Sequence, residues 1–176
     1  VWIGRRIGRR YQAAWPVAAA ALLVLATASP VPGCPDRTGA ADAAGHAPAS
    51  VSLDAADGRR VRLRLAEPVE AGHVVEIRLW HAGLDPSDAL TTRATLTLLT
   101  PPEGDEDCPP PGRVALGIAS FMGVPNQGTI VRRVPVDRLP AAARAALAAG
   151  QAAVLVEVHG PRTTGTVSVA VRISGP

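Results

Sequence analysis

Four histidines, two cysteines and one cluster of acids are the side chains of this 176-residue chain best suited to hold a metal or move a proton. The histidines are His46, His73, His81 and His159, and no two stand at the i, i+4 or His-x-His spacing that preassembles a metal site. Cys108 runs into Pro109-Pro110-Pro111-Gly112, without the nearby His and Met that a blue-copper centre requires. Glu103, Asp105, Glu106 and Asp107 lack the alternating spacing, glycine turn and terminal bidentate acid of a calcium loop. They are expected to form a solvated acidic loop, too mobile to hold two carboxylates at a fixed separation. Ser120 stands in Gly117-Ile118-Ala119-Ser120-Phe121, which is not a Gly-x-Ser-x-Gly elbow, and no phosphate-cradling glycine loop leads into a helix. His81 follows Trp80 at the end of an alternating segment and is expected to be a surface turn histidine. The expectation is a protein with no catalytic residues, no metal ligands and no cofactor.

The elements that would have to position any such chemistry are strands. Val61, Leu63 and Leu65 alternate with Arg60, Arg62 and Arg64, and Val75, Ile77 and Leu79 with Glu76, Arg78 and Trp80. Period two of this kind puts one set in a core and the other in water. The same pattern marks strands near 95–98, 114–121, 130–136, 154–158 and 167–173, with a first short strand at 51–53 before the turn dipeptide Asp57-Gly58. Asp85-Pro86-Ser87-Asp88 reads as a turn, as does 124–128. Residues 100–112, rich in proline and acids, read as a long loop. One helix is expected over 139–149, with Asp137 as N-cap, Pro140 in the first turn, Gly150 as the stop, and Leu139, Ala143 and Leu147 on one face. About eight short strands and one short helix predict an all-β antiparallel sandwich, with one face of each strand apolar.

Ahead of the strands lies an export pattern. Arg5, Arg6, Arg9 and Arg10 precede an apolar run at 17–28, which the small and proline residues of 29–34 close. A basic start, a short apolar core and small residues at the exit describe a secretory signal peptide. The run is shorter than the roughly 20 residues that span a bilayer, and Pro16 and Pro30 bracket it. Two exits compete. Ala26-Thr27-Ala28 suits ordinary signal peptidase, whereas Val31-Pro32-Gly33-Cys34 resembles a lipobox that would make Cys34 a lipidated N-terminus. The composition of 34–49 reads as a flexible tether. The expected organisation is a signal peptide at 1–33, a tether at 34–49 and a β-sandwich domain at 50–176, exported to the cell envelope as a lipoprotein. The alternative is a soluble secreted or periplasmic protein.

Processing changes what the composition means. From Cys34 onward the chain keeps fourteen arginines against fifteen acids, a net charge of −1 in place of the whole chain's +3. No basic patch is expected, which argues against a nucleic-acid partner. Trp80 and Phe121 are the only aromatic residues beyond Trp15, so sugar- and peptide-binding surfaces built on several aromatic platforms are disfavoured. Cys34 and Cys108 either pair as a single disulfide or, if Cys34 carries lipid, leave Cys108 alone.

Ala119-Ser120-Phe121-Met122-Gly123-Val124-Pro125 resembles the Gly-Ser-Phe-x-Asn-Val-Pro stretch in the C-terminal domain of plant-type polyphenol oxidases, the tyrosinase family. The order of elements that follows, strand, short helix, Val-rich strand, turn and alternating strand, is also similar, and the resemblance spans 73–173. Gly123 replaces the family's Asn, and Asn126 stands where a His often follows the proline. The dicopper domain is not represented, so the resemblance implies a sandwich and a shielding role without oxidase chemistry. The expected function is a non-catalytic, exported sandwich that binds or shields a protein partner, with a tyrosinase-like oxidase as one candidate and a membrane reached through the lipid on Cys34. The alternative is an envelope lipoprotein that binds a small ligand.

Overall fold

Alternation in the sequence becomes two facing sheets in the chain's computed structural model, which describes residues 41–44, 48–54, 59–65, 67–102 and 110–175. The strands are β1 (Ala41–Ala44), β2 (Ala49–Ser52), β3 (Arg60–Leu65), β4 (Val74–Ala82), β5 (Arg93–Pro102), β6 (Pro111–Ser120), β7 (Thr129–Pro135), β8 (Ala152–His159) and β9 (Thr166–Ser174). Two helices, α1 (Pro86–Thr91) and α2 (Ala141–Ala148), complete the set with a 3-10 turn at Val136–Arg138. One sheet runs β1-β3-β8-β5-β6 and the other β2-β9-β4-β7. The all-β sandwich expected from the sequence is the fold observed.

The core lies between the sheets. Val61, Leu63 and Leu65 of β3, Leu96 and Leu98 of β5 and Val154, Val156 and Val158 of β8 face Val75, Ile77 and Leu79 of β4 and Val167, Val169 and Val171 of β9. Aliphatic β-branched residues dominate because they fill a pleated, half-buried surface well. Leu139, Ala143 and Leu147 are buried together as their spacing predicts, and α2 ends at Gly150, whose φ of 65° is the left-handed stop that glycine adopts freely.

One irregularity repositions everything after it. In β6 the buried residues are Leu116 and then Ala119, a spacing of three that breaks strict alternation. A bulge between the pairs Leu96↔Gly117 and Thr97↔Ala115 inserts the extra residue, with Gly117 at φ 129°. From there the inward set becomes Ala119 and Phe121, which swings the Phe121 ring into the core. Arg132 of β7 reaches across, its guanidinium lying over Gly117 and its Nε donating to the Leu116 carbonyl at 3.3 Å. An arginine at an inward-facing register position of an edge strand also discourages further strand pairing there.

Several expectations are corrected. Within the stretch read as tether, Ala41–Ala44 forms β1, paired in parallel with β3. A backbone ladder requires no apolar signature, so Ala-Asp-Ala-Ala gives no warning of it. β2 does not form a hairpin with β3; it pairs with β9 in the other sheet. Asp85-Pro86-Ser87-Asp88 starts α1 in place of a simple turn, with Pro86 at the first helical position, where its missing N–H costs nothing. Asp137 sits in the 3-10 turn and accepts the Gly72 N–H at 3.2 Å, while Pro140 holds the α2 N-cap position. β8 is buried on both faces over most of its length, because it is central in its sheet and carries Ala153 and Leu155 outward against Leu99. The register places Arg62, Arg64 and Arg113 beside these three, and long arginine stems can lie along apolar surface.

Candidate functional site

The segment 119–125, singled out by its resemblance, links β6 to β7 together with residues 126–128. Its conformation is held from beneath by a histidine. The alternation Val75, Ile77, Leu79 continues to His81, so β4 carries this imidazole inward, where it is 2 % exposed. Its Nε2–H donates to the Val124 carbonyl at 3.1 Å, and the Phe121 ring stands edge-on to it with centroids 5.6 Å apart at 88°. The His81 carbonyl in turn accepts the Gln127 N–H at 3.0 Å, and the Val124 N–H donates to the Phe121 carbonyl at 3.0 Å. His81 is therefore no surface histidine. The period-two pattern of its own strand placed it inside, a signal outweighed by its position at the strand's end.

The sequence-named residues separate by role. Ala119 and Phe121 are core, Val124 is half-buried, and Ser120 and Pro125 are exposed. Ser120 Oγ accepts the Met122 N–H at 3.4 Å, and the His81 Nε2–H is committed to a carbonyl, so the two are not joined as nucleophile and base. His73 Nδ1–H donates to the Glu70 carbonyl at 3.2 Å and His159 is exposed. Among the described residues no three His, Cys, Asp or Glu side chains gather as a metal site, and no helix is long and apolar enough to cross a membrane. The signal peptide at 1–33, the lipidation site Cys34, the alternative Cys34–Cys108 disulfide and the acids of 103–107 lie outside the described residues.

Where large apolar side chains meet solvent is more telling. Four are exposed among the described residues: Leu90 at 56 %, Ile118 at 64 %, Met122 at 65 % and Val131 at 45 %. Ile118 is on β6, Val131 on β7, Met122 in the loop joining them, and Leu90 on α1, which packs against β6. The Phe121 N–H donates to the Thr92 carbonyl at 3.2 Å and ties that loop to the end of α1. β6 and β7 are edge strands of opposite sheets and touch each other. Leu90, Ile118 and Met122 thus belong to β6, the loop that leaves it and the helix packed against it, whereas Val131, in register with Arg78, faces outward from the second sheet.

A charge cluster occupies the outward face of the second sheet. Glu76 on β4 accepts Arg78 Nε at 2.6 Å and Arg133 Nε at 2.9 Å. The Arg133 hydrogen bond, then that of Arg78, holds the Glu76 carboxyl below its ordinary value of 4.5, against the opposing effect of burial. The folded pKa being the lower one, this stabilisation is complete above the unfolded carboxylate's range and is lost as pH falls through the folded value. Glu76→Gln should therefore melt below wild type at about pH 6, with the gap closing as pH drops below the ordinary carboxylate range of about 4. A gap in melting temperature that stays constant down to acid pH would contradict this.

No family model, curated protein or solved structure matches this chain.

Proposed function

We propose that this chain is a non-catalytic, exported β-sandwich that binds a protein partner through the side formed by β6, the loop that leaves it and α1. The observation that carries the reading is the placement of Leu90, Ile118 and Met122, three of the four exposed large apolar residues among those described, on β6, the loop that leaves it and the helix packed against it. Contiguous exposed apolar surface is what partner-binding faces present, and isolated residues would be expected to scatter. The edge strands themselves are poor templates for added strands, given the Gly117 bulge and Arg132, so the contact is made by side chains. The resemblance of 119–125 to the polyphenol oxidase C-terminal domain adds a candidate partner, a separate tyrosinase-like oxidase whose active-site face the sandwich would shield.

The test places a photocrosslinker at Met122 and, as control, at Arg162 on the β8–β9 connection, in the native host. A specific adduct from position 122 that is absent from 162, and is lost in Ile118→Glu/Leu90→Glu, is expected. Equal adducts from both positions would overturn the assignment of this face.

Export by the segment 1–33 and anchoring through Cys34 complete the proposal. The mature protein from its own host should start at Cys34, carry acyl mass and partition with membranes. An intact mass starting at Ser29 without lipid would replace the anchor with a soluble envelope protein.

A further inference from the structure

The outward face of β9-β4-β7 carries a second surface, on the opposite sheet from Ile118, with Val131 in register beside Arg78 at its β7 edge. A groove of about 590 Å³ crosses it, lined by Arg78 and Trp80 of β4, Thr129 of β7, Ala170 and Arg172 of β9, and Gln127 from the preceding loop. The strand order brings these together: Trp80 pairs in register with Thr129 on one side and Ser168 on the other, and Arg78 with Ala170. Phe121 is wholly buried, so Trp80, half-buried, is the one Phe, Tyr or Trp side chain among the described residues that can offer a face to a ligand.

The polar groups around that indole share a character. Arg78 commits its Nε to Glu76, which orients the guanidinium, and forms no ion pair with a second acid among the described residues. Arg172 is exposed and forms no ion pair with a described residue, although it stands in register beside Glu76. Three arginines (Arg78, Arg133, Arg172) against one carboxylate leave this face cationic, in a domain (50–176) whose arginines and acids balance. Gln127 adds an amide and Thr129 a hydroxyl. Gln127 holds φ 63°, in a turn closed by the Gly128 N–H donating to the Pro125 carbonyl at 2.7 Å. That position favours glycine, and a glutamine kept there bears a backbone cost that its amide at the groove would offset.

We propose that this groove binds an acidic polysaccharide, one uronate ring stacking its C–H face on Trp80 while its carboxylate meets Arg172 and Arg78. Indole faces take flat apolar surfaces, guanidinium forks take carboxylates, and amide and hydroxyl groups take ring hydroxyls. The groove is open, unlike the enclosed pockets that surround most of a small ligand, so a polymer can continue past both ends. Ala170, in register with Arg78, contributes only a methyl group to the lining.

The experiment is titration calorimetry of the full chain with a hexameric oligogalacturonate, its methyl-esterified counterpart, a neutral cello-oligosaccharide and a mononucleotide. Binding of the uronate oligomer alone is expected, weakening as salt is raised. Trp80→Ala and Arg172→Gln should each weaken it about tenfold or more, and Trp80→Phe should retain part of it. Gln127→Gly separates the site from the fold: its melting temperature should hold or rise while affinity falls severalfold. Absence of uronate binding, equal affinity for the ester, tighter binding of the nucleotide, or unchanged affinity in Trp80→Ala and Arg172→Gln would each overturn the proposal. None of these outcomes bears on the crosslinking test of the β6–α1 side.

Discussion

Phe121→Ala should destabilise the domain by about 3–5 kcal/mol, the range seen when a buried aromatic side chain is emptied. Phe121 is the largest fully buried side chain among the described residues, with no exposed surface. It also lies just past the bulge that sets its direction, so its ring plugs the place where β6 leaves the sheet. The surrounding aliphatic residues belong to two sheets whose registers are set by backbone ladders, and they cannot collapse far into the void. Urea denaturation measures the effect, and the midpoint should shift with little change in slope. A loss below about 1 kcal/mol would mean that the ring is not the keystone of this end of the core.

The same residue shows how far the amino-acid sequence reveals the fold. Strict alternation identifies β3, β4 and β9 directly, since each puts one side in a core and the other in water. It fails at β6, where Leu116 and Ala119 are three apart and only the bulge reconciles them. It is silent at β1, whose pairing uses backbone groups alone. Proline and aspartate at 85–88 are equally compatible with a turn and a helix start, and only the buried Ala89 favours the helix. The groove was partly legible, since Arg78, Trp80 and Arg172 are outward by parity on their own strands. That β4 lies between β9 and β7, so that these side chains share one surface, is a matter of strand order, which no local pattern encodes. The apolar side is less legible still: Leu90, Ile118 and Met122 are unremarkable singly and acquire meaning only when α1 packs against β6.

His81 should prove nearly as costly to alter as Phe121, and in a way that distinguishes packing from hydrogen bonding. His81→Ala removes a buried ring, its edge-to-face contact with Phe121 and the donor to the Val124 carbonyl, and is expected to cost about 3–4 kcal/mol. His81→Phe keeps the ring volume and the aromatic contact but leaves the Val124 carbonyl without its donor, a penalty of about 1–3 kcal/mol. Part of that penalty is offset, because Nδ1 of the native ring is buried with no partner and the phenyl ring removes it. The phenylalanine variant should therefore fall at the low end of its range, and its damage should be local. Amide exchange reads this: the Gln127 N–H, bonded to the His81 carbonyl, and the Val124 N–H, bonded to Phe121, should lose protection while amides of β8 and β9 keep theirs. Since His81 and Phe121 touch, the losses in the double alanine variant should sum to less than the two single losses. Equal destabilisation by alanine and phenylalanine, or exchange that rises uniformly across the sheets, would show that His81 acts as general core filler and does not hold the loop that carries Met122.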